Sequence, residues 1–90
     1  MDTINLKIHK DLYNKSGFKF NWSDGFKIEL IIDGDTVIIR ANRQGLESLA
    51  KQLFLLSQDF VPNNYHLHYD DINCFENGSN ALIIEKDTDM

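Results

Sequence analysis

His66, His68 and Asp70 carry the most suggestive chemistry in the chain. On a strand, alternate residues point the same way about 7 Å apart, and two imidazoles and a carboxylate so placed can converge on a metal ion. The same three residues also describe the polar face of a half-exposed strand that buries Tyr65, Leu67 and Tyr69 behind it. No further ligand set accompanies them, so the polar face, open to a partner, is the first reading and the metal site the alternative. A thiol nucleophile would need Cys74 beside one of the histidines. The acids that precede Cys74 raise a thiol pKa rather than lower it, which makes Cys74 a small, partly buried filler. The carboxylate pairs Asp33/Asp35 and Asp70/Asp71 offer little more. The first lies in a turn, where Asp is expected on backbone grounds, and Asp-Gly-Asp is too short for a calcium loop. Gly45 could admit an anion to a helix N-terminus, but close packing of helix on sheet is the better use of a glycine there. Trp22 is the best single anchor, for the core or for a partner. No acid, base and nucleophile converge, so no enzyme and no cofactor are expected.

The whole chain narrows the class. Ninety residues hold one domain, 1–90, with a frayed tail over about 87–90. A composition of 42% hydrophobic and 26% charged residues is that of a globular protein. A single cysteine excludes an internal disulfide and fits a reducing compartment. No signal sequence and no membrane-length apolar run appears, so the expected location is cytoplasmic. The net charge of −5, with basic residues scattered singly, argues against nucleic acid as a ligand and favours a basic protein partner.

These residues must be positioned by a small set of elements. The stretch Ala41 to Pro62 has the only sustained helical period, with Leu46, Leu49, Ala50, Leu53 and Leu56 on one stripe, Asn42 as N-cap and Pro62 marking the end. Everything else reads as strand. Thr3 to His9 alternates Ile4, Leu6 and Ile8 with polar residues, and Phe18, Phe20 and Trp22 alternate after the Asp11–Gly17 turn. A three-residue loop at Ser23-Asp24-Gly25, with Gly25 left-handed, pairs Trp22 with Phe26, Phe20 with Ile28 and Phe18 with Leu30. The next hairpin, Phe26 to Ile32 and Thr36 to Ala41, turns at Asp33-Gly34 or at Gly34-Asp35. The second choice sets Glu29 opposite Arg40. Strands at Tyr65–Asp70 and Ala81–Lys86 close the chain. The expected class is α+β, a mainly antiparallel twisted sheet of about six strands in the order ββββ-α-ββ with one helix on one face. Ile31, Ile38 and Leu55 have no place in that core. If contiguous, they would mark a protein-binding surface or a homodimer interface.

Several of these stretches together resemble the immunity protein 32 family, small bacterial toxin-immunity proteins. They are Ala41-Asn42-Arg43-Gln44-Gly45-Leu46-Glu47-Ser48-Leu49-Ala50, Val61-Pro62, Tyr65 to Asp70, Gly78-Ser79 and Leu82 to Lys86, and they span about residues 41–86. The resemblance implies a cytoplasmic, non-enzymatic antidote that binds a cognate polymorphic toxin, and the acidic balance suits a basic target such as a nuclease domain. Asn42, Gly45, His66, His68, Asp70 and Ser79 match its motifs. Asn42, His66, His68 and Asp70 are the partner-binding residues this reading selects.

Overall fold

The structure, a computed structural model, describes residues 2–90. It is α+β, with one helix and short antiparallel strands that form three two-stranded sheets among the described residues. A 3-10 turn at Lys10–Leu12 leads into β1 (Tyr13–Asn14) and β2 (Gly17–Phe18). There follow β3 (Ile28–Asp33), β4 (Thr36–Ala41), α1 (Arg43–Leu56), β5 (His66–Tyr69) and β6 (Leu82–Glu85). The single six-stranded sheet expected from the sequence is not formed. The loop between β5 and β6 occupies the outer edge of β3 in its place: Glu76 N–H donates to Ile28 C=O at 2.8 Å, and Ser79 Oγ accepts from Leu30 N–H at 3.3 Å.

The β3–β4 register settles the turn. Asp33 faces Thr36 and Glu29 faces Arg40, so the loop is Gly34-Asp35. Its base is fixed by Asn42, whose backbone N–H donates to Lys27 C=O while its Oδ1 accepts from Lys27 N–H. That clasp continues the ladder by one residue and leaves one register. Asn42 also caps α1 through Gly45 N–H at 2.9 Å, as expected, and its Nδ2 donates to Gly25 C=O. Gly45 packs where no side chain fits: a Cβ there would stand 2.6 Å from Lys27 C=O.

Other expectations are corrected. Thr3–His9 forms no strand, and Ile4 stands 98% exposed. Its apolar alternation pairs with no strand among the described residues. The strand expected over Phe18–Trp22 shrinks to β2, which pairs Phe18 with Tyr13 rather than with Leu30. Beyond it the backbone bonds to helix side chains: Asn21 C=O accepts from Gln52 Nε2, and Ser23 N–H donates to Ser48 Oγ. Phe20 meets Tyr69 edge-on instead of pairing with Ile28. Phe26 N–H closes a turn on Ser23 C=O with Gly25 at φ +79°, and Trp22 stacks on Phe26 at 4.5 Å. Side-chain stacking thus brings Trp22 to Phe26 without a ladder.

The helix also differs in its facing. Leu49 and Leu56 are buried as expected, but Leu46, Ala50 and Leu53 are exposed, while Leu55 is buried. Buried Ser48 and Gln52 turn the inner face, because the irregular 21–23 segment presents backbone groups that need polar partners. The helix stops at Leu56, ahead of Pro62. Ser57 Oγ and Gln58 Nε2 both donate to Phe54 C=O and end the ladder locally. The core gathers Ile28, Leu30, Leu49, Leu56, Val61 and Leu67 with Tyr69 and Phe75. Among the described residues no helix is long and apolar enough to cross a membrane.

Candidate functional site

Alternation on β5 sorts the predicted residues. Leu67 and Tyr69 point into the core, so His66 and His68 face outward, opposite Glu85 and Ile83 of β6. Tyr69 is anchored from the helix: its phenol donates to Gln52 Oε1 at 2.9 Å. Burial pushes the Tyr69 phenol well above its ordinary 10.0, with Cys74 nearby adding to the shift. A fixed Tyr69 sets the direction of the strand and hence the position of His68.

His68 stands at the rim of a cleft of about 390 Å³ lined by Phe20, Trp22, Tyr69, Asn73 and Cys74. The floor is aromatic. Trp22 lies on Phe26 and meets Tyr69 edge-on at 6.2 Å, and Tyr69 stacks on Phe75 at 5.8 Å. Asp70 lies outside the lining but fixes the turn that carries Asn73 and Cys74. Its Oδ1 accepts from Ile72 and Asn73 N–H at 3.1 and 2.9 Å, and its C=O accepts from Cys74 and Phe75 N–H. The free Oδ2 lies 3.7 Å from His68 Nε2, longer than a hydrogen bond.

The predicted residues therefore separate. His68 lines the cleft, and Asp70 stands beside it without entering the lining. His66 lies outside it, beside the concavity made by Pro62, Asn63, Asn64 and Tyr65. Asn42 stands at the helix start, with its side chain committed to Gly25, Lys27 and Gly45. Among the described residues no group of three His, Cys, Asp or Glu side chains is placed to hold a metal ion. Cys74 Sγ lies 3.8 Å from Asp70 C=O, and its thiol is pushed up, first by burial, with backbone hydrogen bonds opposing and the Asp70 charge adding. An up-shifted, half-buried thiol is unfit for attack at neutral pH.

Charge distinguishes this side of the molecule. Of the 14 acidic residues, Asp70, Asp71, Glu76, Glu85, Asp87 and Asp89 follow Tyr65, whereas Lys86 alone of the nine basic ones does. The whole net charge of −5 thus resides in the β5–β6 hairpin, its loop and the tail. Lys86 is turned inward, its Nζ donating to Gln58 and Val61 C=O at 2.7 Å each. An aromatic cleft beside an acidic hairpin can take up a long cationic side chain, the stem against the rings and the head group among carboxylates. Sequence reasoning singled out Trp22 and His68 but missed Phe20, Asn73 and Cys74 as lining. The alternating Phe18, Phe20 and Trp22 were the signal, masked by their assignment to a strand face.

A family model described as Immunity protein 32 matches residues 36–87, more than half of the chain. No curated protein and no solved structure matches it.

Proposed function

The chain belongs to the Immunity protein 32 family, and we propose that it is a non-enzymatic antidote that binds a cognate polymorphic bacterial toxin in the cytoplasm and occludes its working surface. The family match is the observation that carries this reading. The acidic hairpin adds a direction: the toxin domain is basic, as a nuclease domain is, and the two are drawn together by charge before they dock. In this reading Trp22 and Phe20 receive an anchor side chain, and His66, His68 and Asp70 meet the toxin around it. Asn42 serves by holding the helix start and the base of the β3–β4 hairpin.

Co-expression with the product of the neighbouring open reading frame, as the candidate toxin, tests the reading. Growth rescue, and capture of that product by tagged protein, are the expected results. Glu85→Lys combined with Asp87→Lys should slow association by about tenfold at low salt and much less at high salt. A toxin that is neither captured nor neutralised would sink the reading.

A further inference from the structure

The β4 strand ends the β3–β4 sheet with an edge that no described residue closes. With the turn at Gly34-Asp35, Asp33 and Thr36 form the hydrogen-bonded closing pair, so Thr36, Ile38 and Arg40 direct their backbone groups at β3. The N–H and C=O of Val37 and Ile39 consequently point away from β3, and no described residue takes them up. Natural edges are blunted by prolines, bulges or inward charges. This one has none: the six-pair ladder is unbroken, and the inner face carries Ile32, Val37 and Ile39, exposed by 53, 58 and 39%. The neighbouring helix adds a second unprotected strip. Leu46, Ala50 and Leu53 project on the flank turned away from Ser48 and Gln52, and all three are exposed.

We propose that β4 pairs antiparallel with β4 of a second copy of this chain, about a two-fold axis at Ile38, to form a four-stranded sheet. The strand is self-complementary in this register. Val37 falls opposite Ile39 of the second copy on the inner face, Ile38 opposite Ile38 on the outer face, and Thr36 opposite Arg40. The two pairs of Val37 with Ile39 take up the free backbone groups of both, because these are the residues that point outward. Only a register of this parity keeps both inner faces, and both helices, on one side. Charge selects the same occupant. A basic toxin is suited by the acidic hairpin, whereas two chains of net charge −5 approach best at an edge whose one charge, Arg40, is already paired with Glu29. The pairing leaves the β5–β6 hairpin free in both copies, so the dimer and the antidote reading stand or fall separately.

Sedimentation or light scattering of the full chain across a dilution series tests the pairing. The expected mass is twice the 10.4 kDa of one chain. Ile39→Lys should weaken the dimer at least tenfold, and so should Val37→Pro, which removes an N–H that β3 does not use. Circular dichroism should show both variants folded. In a Cys74→Ser background, Ile38→Cys should oxidise to a covalent dimer, because residues on the axis face each other in a non-hydrogen-bonded pair, while Thr36→Cys should not. A single-chain mass at every concentration would overturn the proposal. So would a dimer indifferent to Ile39→Lys and Val37→Pro, or a dimer held to a basic toxin only.

Discussion

The two longer hairpins are built by one rule and finished differently. In each, alternate residues point inward: Ile28 and Leu30 on β3, Leu67 and Tyr69 on β5. The β5–β6 hairpin is short, and both inward residues of β5 are fully covered. The β3–β4 hairpin has six residues per strand, but its cover reaches only the first half. The loop residues Glu76 and Ser79 tie down Ile28 and Leu30 and go no further, so Ile32, Val37 and Ile39 run out bare. Outwardly the charge is carried differently. The β5–β6 hairpin and its loop hold Asp70, Asp71, Glu76 and Glu85 with no Lys or Arg among them. On the long hairpin Arg40 pairs with Glu29, and the remaining acids, Asp33 and Asp35, sit at the turn. In the proposals above, the first surface meets a basic partner and the second a copy of the chain. What separates them is the reach of a loop rather than any difference in strand pattern.

The covered base of the long hairpin is the place to break this contrast with the largest effect. Gly45→Ala puts a methyl group 2.6 Å from Lys27 C=O, and a backbone carbonyl cannot swing aside as a side chain would. Overpacking against a backbone atom falls at the upper end of the usual range, about 3 kcal/mol, against a gain of about 1 kcal/mol in helix propensity. We expect a net loss of about 2 kcal/mol, seen as a fall in Tm of roughly 10 °C. Exchange of the amides at Lys27 and Asn42 should rise with it, while the His66–Tyr69 amides follow only global unfolding. An unchanged Tm would mean that helix and hairpin base have room to part.

Part of this arrangement was legible in the residues and part was not, for identifiable reasons. Asn42 as cap could be read directly, because it follows from a local backbone requirement at the start of a helix, and a glycine in the first turn signalled the close approach of Gly45 to Lys27 C=O. The strand containing His66 and His68 was equally plain, since alternation there is supported by burial of Leu67 and Tyr69. The β3–β4 register was ambiguous because both turns keep the apolar face together. A side chain eight residues from the turn, Asn42, decides it. The helix face was misread because Ser48 and Gln52 are polar by type yet buried by position, satisfied by a segment with no regular structure to announce itself. Thr3–His9 has the pattern of a strand but pairs with none, and pattern alone cannot supply a partner.

In the short hairpin the sharper test is Tyr69→Phe. The phenol's bond to Gln52 Oε1 is buried, and its removal leaves that oxygen without a donor, a loss of about 1–2 kcal/mol. A pH signature separates this from simple loss of packing. Burial raises the folded-state phenol pKa above the ordinary 10.0, so the unfolded chain loses its proton first as pH rises. Stability from this group is therefore complete below pH 10 and declines above it. The wild-type chain should lose stability in that alkaline range more steeply than Tyr69→Phe. Parallel curves for the two would show that the phenol is already solvated.

The smallest expected effect falls on the outer face of the long hairpin, where Arg40 Nη1 meets Glu29 Oε1 at 3.1 Å. The pair looks like a determinant of register, since the alternative turn would place Lys27 opposite Arg40. Arg40 is 69% exposed, however, and an exposed pair contributes about 0.2–1 kcal/mol before salt reduces it. The register is held more firmly at the other end, where Asn42 clasps Lys27 by two hydrogen bonds. Arg40→Ala should accordingly lower stability by no more than about 0.5 kcal/mol, with the difference fading in high salt. The cross-strand proximity of Ile28 to Ala41 and Ile32 to Val37, read by nuclear Overhauser effects, should be unchanged. A slip that brings Ile28 opposite Ile39 instead would assign the register to the ion pair, and would also move the free edge on which Val37 and Ile39 stand.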